Sequence, residues 1–138
     1  MHQGLDVREA GGKRSGLDAE FTPNATAAEH ARSAVRERFA DSLPAFTLHE
    51  LGTVVYELVD NGVRHGPGSA IHVRVTESGG VIHGEIDDDG DGTTSTPRKV
   101  VDPFSGLGFH IVDALVDRWE VREGTTIVSF EMGVDRLI

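Results

Sequence analysis

Apolar residues recur along this chain with two periods, and the switches between them mark its elements. Ala28, Ala31, Val35 and Phe39 fall three or four apart, which puts them on one face of a helix, and the run stops before Pro44. Thr26 with Glu29 three residues on has the form of a capping box and sets the start of that helix. Thr47 and Glu50 repeat the form and open a second predicted helix, with Leu51, Val55, Leu58 and Gly62 on one arc and an end near Gly66-Pro67-Gly68. The period then changes to two. Ile71, Val73 and Val75 alternate as a strand, Ser78-Gly79-Gly80 supplies a hairpin turn, and a second strand runs from Val81 to Asp87. The polar segment from Thr93 to Ser105 reads as a loop. A helix with Ile111, Val112, Leu115 and Val116 inward follows, and a last strand runs from about Thr125 to Met132. The order ααββαβ with antiparallel pairing predicts an α+β fold, a two-layer sandwich. Residues 1 to about 20 mix Gly4, Gly11, Gly12 and Gly16 with charges. They carry too little apolar surface to offset the entropy of ordering them, so a disordered tail is expected before a domain at 21–138.

Composition narrows this picture. A length of 138 residues fits one domain. The absence of cysteine excludes disulfides and cysteine-ligated metal. No apolar run approaches the roughly 20 residues of a membrane span, and no signal-peptide centre is visible, so a soluble, cytoplasmic protein with no membrane partner is expected. A formal net charge of -10 argues against direct nucleic-acid binding, which draws on clustered Lys and Arg. Proteins, or a small anion neutralised by a metal, are the better partners.

The chemistry concentrates in three places. On the second helix Glu57 and Asn61 lie four residues apart, about 40° around the axis, so a carboxylate and a carboxamide can serve one site at the edge of the buried stripe. In the strand after the hairpin, Ile82, Gly84, Ile86 and Asp88 share one face, which aims Asp88 where the core residues point. Alternatively the strand ends by residue 87, and Asp87, Asp88, Asp89 and Asp91 form a solvated acidic turn. The same segment imitates the start of a calcium loop, but the twelfth position, which should hold a bidentate Glu, is Arg98. Third, Gly106-Leu107-Gly108 precedes a helix and could bring backbone N–H groups to a phosphate. A dinucleotide fingerprint fails there, because Ile111 replaces its third glycine and no strand precedes the motif.

In that order, Glu57-x-x-x-Asn61, Asp88-x-Gly90-x-Gly92 and Gly106-x-Gly108 resemble the N, G1 and G2 boxes of the GHKL ATPase superfamily, which includes gyrase, histidine kinases and MutL. The similarity extends from about residue 22 to 134 and includes the closing Gly124-Thr125-Thr126. The short lid and the wording Asn61-Gly62-Val63-Arg64-His65-Gly66 resemble the anti-sigma-factor serine/threonine kinases and their actinobacterial relatives. The resemblance implies a Bergerat ATP-binding fold at 21–138 with helices on one face of the sheet, and ATP and Mg²⁺ as cofactors. It makes Asn61 the Mg²⁺ ligand, Glu57 the general base and Asp88 the reader of the adenine amine. Gly90 and Gly92 would leave room for the base, and Gly106, Leu107 and Gly108 would cradle phosphate. Thr125 matches the family's threonine near adenine, whereas the alternation of Val128, Phe130 and Met132 puts Thr126 on the core face instead. Arg98 and Lys99 are lid candidates for the γ-phosphate, with two solvated charges as the other reading. His65 would order the helix end above the phosphates.

Three functions compete. The first is a kinase that sequesters a sigma factor and phosphorylates an anti-anti-sigma partner of STAS type, with a homodimer implied by the resemblance. The second is an ATP-binding module that controls a partner without phosphotransfer. The third is a detached histidine-kinase domain, disfavoured because Val35 stands where the proline after a phospho-acceptor His30 would fall. His72 and His83 on paired strands fall short of a zinc site and read as surface residues. Arg32 and Arg36, four apart and outward, form a candidate partner stripe, with pairing to Glu29 and Glu37 as the alternative.

Overall fold

A computed structural model describes residues 6–7, 16–65, 70–88, 107–122 and 127–134. The first apolar period folds as two helices, α1 at Ala27–Phe39 and α2 at Ala45–His65, packed on one another. Both helix starts differ from the capping boxes expected of them. Thr26 is the residue at which α1 opens, and its carbonyl accepts the His30 N–H at 3.0 Å, but its hydroxyl makes no capping bond. Asn24 takes over. Its Oδ1 accepts from the Thr26 N–H and from the Thr26 hydroxyl, each at 3.0 Å, in a turn closed by the asparagine side chain. α2 begins earlier than Thr47, with the Pro44 carbonyl accepting from the Leu48 N–H at 2.9 Å. Thr47 therefore lies inside the first turn. It is buried, and its hydroxyl donates to the Val134 carbonyl at 3.1 Å, tying the start of α2 to the end of the last strand.

Among the described residues the second period builds one sheet of six strands, all neighbours antiparallel, in the order β1-β2-β3-β4-β6-β5. β1 is Asp6–Val7, β2 Gly16–Phe21, β3 Ile71–Ser78, β4 Val81–Asp87, β5 Arg118–Val121 and β6 Ile127–Gly133. Helix α3, Leu107–Leu115, packs against α2. Gly79 and Gly80 join β3 to β4 with φ of 60° and 82°, the left-handed pair that a two-residue hairpin with native twist requires.

The expected tail is corrected by β2, which pairs along its length with β3 and sends Leu17, Ala19 and Phe21 into the core. The folded unit therefore takes in residues from Gly16, and β1 adds a short pair outside it. The rest of the expected tail, residues 1–5 and 8–15, lies outside the described residues. β5 was not expected either, so the observed order is ββααββαββ.

All three helices lie on one face of the sheet, and the core fills the space between. Leu51, Val54, Val55, Leu58 and Val59 of α2 meet Val73, Val75, Ile82, Ile86 and Met132 of the sheet, with α1 contributing Ala31, Val35 and Phe39 and α3 contributing Phe109 and Val112. Burial of this apolar surface is the main stabilising term, at about 25 cal/mol per Å² removed from water. Gly84 is a packing requirement: a Cβ there would overlap the ring of Phe130, its cross-strand partner. Among the described residues no helix is long and apolar enough to cross a membrane.

Candidate nucleotide site at the α2–β4 junction

The end of β4 settles how Asp88 stands. Ile82, Gly84 and Ile86 are buried on the helix-covered face, and Asp88 continues that face with only 6% of its surface exposed. It is one of two buried polar residues among those described, the other being Thr47. The solvated acidic turn is therefore excluded at this position. A carboxylate so enclosed has to be met by donors, from the protein or from a ligand.

What faces Asp88 is the middle turn of α2's last third. A Cβ placed on Gly62 would come within 3.5 Å of the Asp88 Cβ and 3.6 Å of Ile71 Cδ1. These are ordinary contact distances, so Gly62 and Asp88 lie side by side across the two elements. Gly62 directly follows Asn61, and Glu57 lies one turn earlier; both polar residues are half-buried at the edge of the core stripe, where the sequence put them. The Glu57–Asn61 edge and Asp88, 27 or more residues apart in the chain, are thus brought to one junction.

The third motif enters on α3. The helix begins at Leu107, so the backbone N–H groups of Leu107 and Gly108 belong to the first turn, where no intrahelical carbonyl is available to them. Packing of α3 on α2 sets this turn on the same side of the sheet as Glu57, Asn61 and Asp88. His65 is the last residue of α2. Gly90, Gly92, Arg98, Lys99, Gly106, Thr125 and Thr126 lie outside the described residues, as does the loop from Thr93 to Ser105.

Arg32 departs from the outward stripe. Its guanidinium sits 4.6 Å over the Tyr56 ring and 2.6 Å from the Glu29 carboxylate, its Nε is buried, and its Cγ would lie 3.3 Å from a Cβ on Gly52. The arginine fastens α1 to α2, and the pairing with Glu29 is the reading that holds. Arg36 is exposed. Sequence periodicity could not find the Arg32–Tyr56 stack, but Gly52 in the middle of α2 was a signal that something approaches closely there.

A groove of about 360 Å³ lies on the other face of the sheet, lined by Arg74, His83, Glu85, Arg118, Ser129 and Glu131 among others. It is separated from Asp88 by the sheet itself. His83 there lies 3.4 Å from Glu131, and its neighbours are ion-paired with one another.

Comparison with known proteins accords with this arrangement. The chain is 32% identical over 96 residues to an anti-sigma F factor from a Geobacillus species, a match covering 58% of this chain and 66% of that one. The chain thus spans just under two thirds of that relative's length. Its fold is similar to the crystal structure of the RsbU and RsbW domains of a Mycobacterium tuberculosis protein, with a TM-score of 0.63 and 20% identity over 85% of this chain and 31% of the other. The family of histidine kinase-, DNA gyrase B- and HSP90-like ATPases matches residues 48–135, a span that holds Glu57, Asn61, Asp88 and α3. With more than half of its length matched, and with Glu57, Asn61, Asp88 and the start of α3 on one side of its sheet, the chain belongs to this ATPase family, for which ATP is the ligand.

Proposed function

We propose that the protein is an ATP-dependent serine/threonine kinase of the anti-sigma type, which sequesters a sigma factor and phosphorylates an anti-anti-sigma partner. The observation that carries this reading is the buried Asp88 set against Gly62, one residue beyond Asn61. An enclosed carboxylate beside the glycine backbone of a helix fits a flat base bearing an exocyclic amine. The likeness to an anti-sigma F factor supports the choice of partners.

The residues suit the cofactor. Mg²⁺ takes one or two protein oxygens and completes its shell with water and phosphate, so the single carbonyl of Asn61 is a sufficient protein ligand. When bound at Asn61, the metal would offset the negative charge of the phosphates. Asp88 accepts the adenine amine. The N–H groups of Leu107 and Gly108, at the positive end of α3, would receive the phosphates. Glu57 takes the proton from a partner serine Oγ as that oxygen attacks the γ-phosphorus; the bond to the β–γ bridging oxygen breaks and ADP leaves.

The test is transfer of radiolabel from γ-labelled ATP to the partner, alongside calorimetry. Asp88→Asn puts a donor where the amine needs an acceptor and should weaken ATP binding more than tenfold, about 1.4 kcal/mol or more. Asn61→Ala should lose the magnesium-dependent part of affinity. Glu57→Ala should hold ATP and lose transfer, because a base acts mainly in the transition state. ATP binding with no label on any partner would replace the kinase with an ATP-gated binding module, and wild-type affinity in Asp88→Asn would remove the base-reading role.

A further inference from the structure

Trp119, the only tryptophan of the chain, stands where the edge of the sheet meets α3. Among the described residues β5 has a neighbour on one side only, β6, and it is four residues long. Its alternation sends Arg118 and Glu120 to the open face, where they line the groove, and turns Trp119 toward the helices. There the indole N–H donates to Asp113 Oδ1 on α3 at 2.8 Å. The indole ring also packs on Phe109 of the same helix, with centroids 4.9 Å apart and planes inclined by 50°, a tilted geometry that aromatic pairs favour.

Phe109 and Asp113 are four residues apart, so they stack on one face of α3 in successive turns. A single side chain gripping both turns fixes the rotation of the helix as well as its position along its axis. Such a grip matters for a helix of nine residues, which is too short to hold its own shape in water and takes its place from tertiary contacts. On the other side, Trp119 is the cross-strand partner of Phe130, and Phe130 covers Gly84 on the strand that leads to Asp88. Rings thus run from the first turn of α3 to β4, joining the element that begins at Leu107 to the strand that ends beside Asp88.

We infer that Trp119 and Asp113 are positioning residues for the nucleotide's phosphates: they set where the N–H groups of Leu107 and Gly108 stand relative to the Glu57–Asn61 edge of α2. The inference rests on the ATP reading above. It separates two parts of the ligand. Asp88 directly follows β4 and Gly62 lies in α2, so recognition of the base does not depend on the Trp119–Asp113 bond, whereas the phosphate end does.

The experiment measures ATP and adenosine affinities on wild type, Asp113→Ala, Asp113→Asn and Trp119→Phe, each checked by thermal unfolding. Asp113→Ala removes the acceptor and Trp119→Phe removes the donor while keeping an aromatic ring. Both should lose about tenfold in ATP affinity, on the order of one good hydrogen bond, with adenosine changed less than about twofold. Asp113→Asn keeps an Oδ1 acceptor and should restore ATP affinity. In wild type the indole emission should shift with ATP and stay constant with adenosine. Equal loss for both ligands, as a purely structural anchor would give, overturns the inference; so does an unchanged ratio in folded Asp113→Ala. Wild type that binds neither ligand would overturn the ATP reading and this inference with it, whereas wild type that binds ATP with variants of unaltered ratio would remove the positioning role alone.

Discussion

On the face of the sheet that carries the helices, Val73, Val75, Ile82 and Met132 expose no surface, while the same strands present Arg74, Thr76, His83 and Glu131 on the other. The covered face is apolar almost throughout, and the polar group it admits at its margin, Asp88, is the candidate reader of the ligand. The open face is charged and largely neutralises itself. Arg74 lies 3.2 Å from Glu85 and 3.9 Å from Asp18, Arg122 lies 3.5 Å from Glu85, and Arg118 lies 3.9 Å from Glu131. The difference teaches where to look for chemistry. Charge in quantity marks the solvated face, whereas a buried carboxylate at the margin of an apolar face, costly to place there, marks a site.

If that contrast is sound, equal-sized changes on the two faces should have unequal effects. Leu51→Ala, at the fully buried centre of α2, should cost about 2–5 kcal/mol in a urea titration, the range for cavities in a packed core. A loss below about 1 kcal/mol would mean the covered face is looser than its burial indicates. Gly84→Ala should cost about 1–3 kcal/mol, because the new methyl overlaps the Phe130 ring and the ring is hemmed in by Trp119 across the strand pair. Thr47→Val leaves the Val134 carbonyl without its donor and should cost about 1 kcal/mol, read in the same titration. Arg74→Ala breaks two ion pairs at once, yet should change stability by less than about 1 kcal/mol, since its side chain is 57% exposed and the pairs are screened. A larger loss there would make the open face a structural network rather than a solvated one.

Helices and strands whose apolar period ran for two turns or more were legible from the residues alone. α1, α3 and the β3–β4 hairpin fall where the pattern put them, and so do the buried stripe of α2 and the half-buried edge with Glu57 and Asn61. β2 and β5 were not legible, although both alternate. Leu17-Asp18-Ala19-Glu20-Phe21 adjoins a glycine-rich, charged stretch, and Arg118-Trp119-Glu120-Val121 has only four residues, so each acquires its state from a neighbouring strand that local pattern cannot supply. Thr47 failed for a similar reason. Its hydroxyl answers to a carbonyl 87 residues away, and a motif defined over four residues has no access to that. In the site, Asp88 was readable as a strand position but its enclosure needed Gly62 from another element, and the grip of Trp119 on α3 needed a sheet edge that was itself invisible.

The strand formed by Gly16–Phe21 has a bearing on how the molecule stays out of trouble. It occupies the outer flank of β3, pairing from Gly16 with Thr76 to Phe21 with Ile71, and is further held by Arg38, whose Nε–H donates to the Gly16 carbonyl at 2.5 Å. A chain trimmed to begin at Phe21 would keep the ATPase-family span and still lose this cover. β3 carries Ile71, Val73 and Val75 in alternation, and with its flank bare it would offer a long row of unsatisfied amides and carbonyls beside apolar side chains, a template onto which a second chain can add. Residues expected to belong to a disordered tail are, in that sense, a cover for the flank of β3.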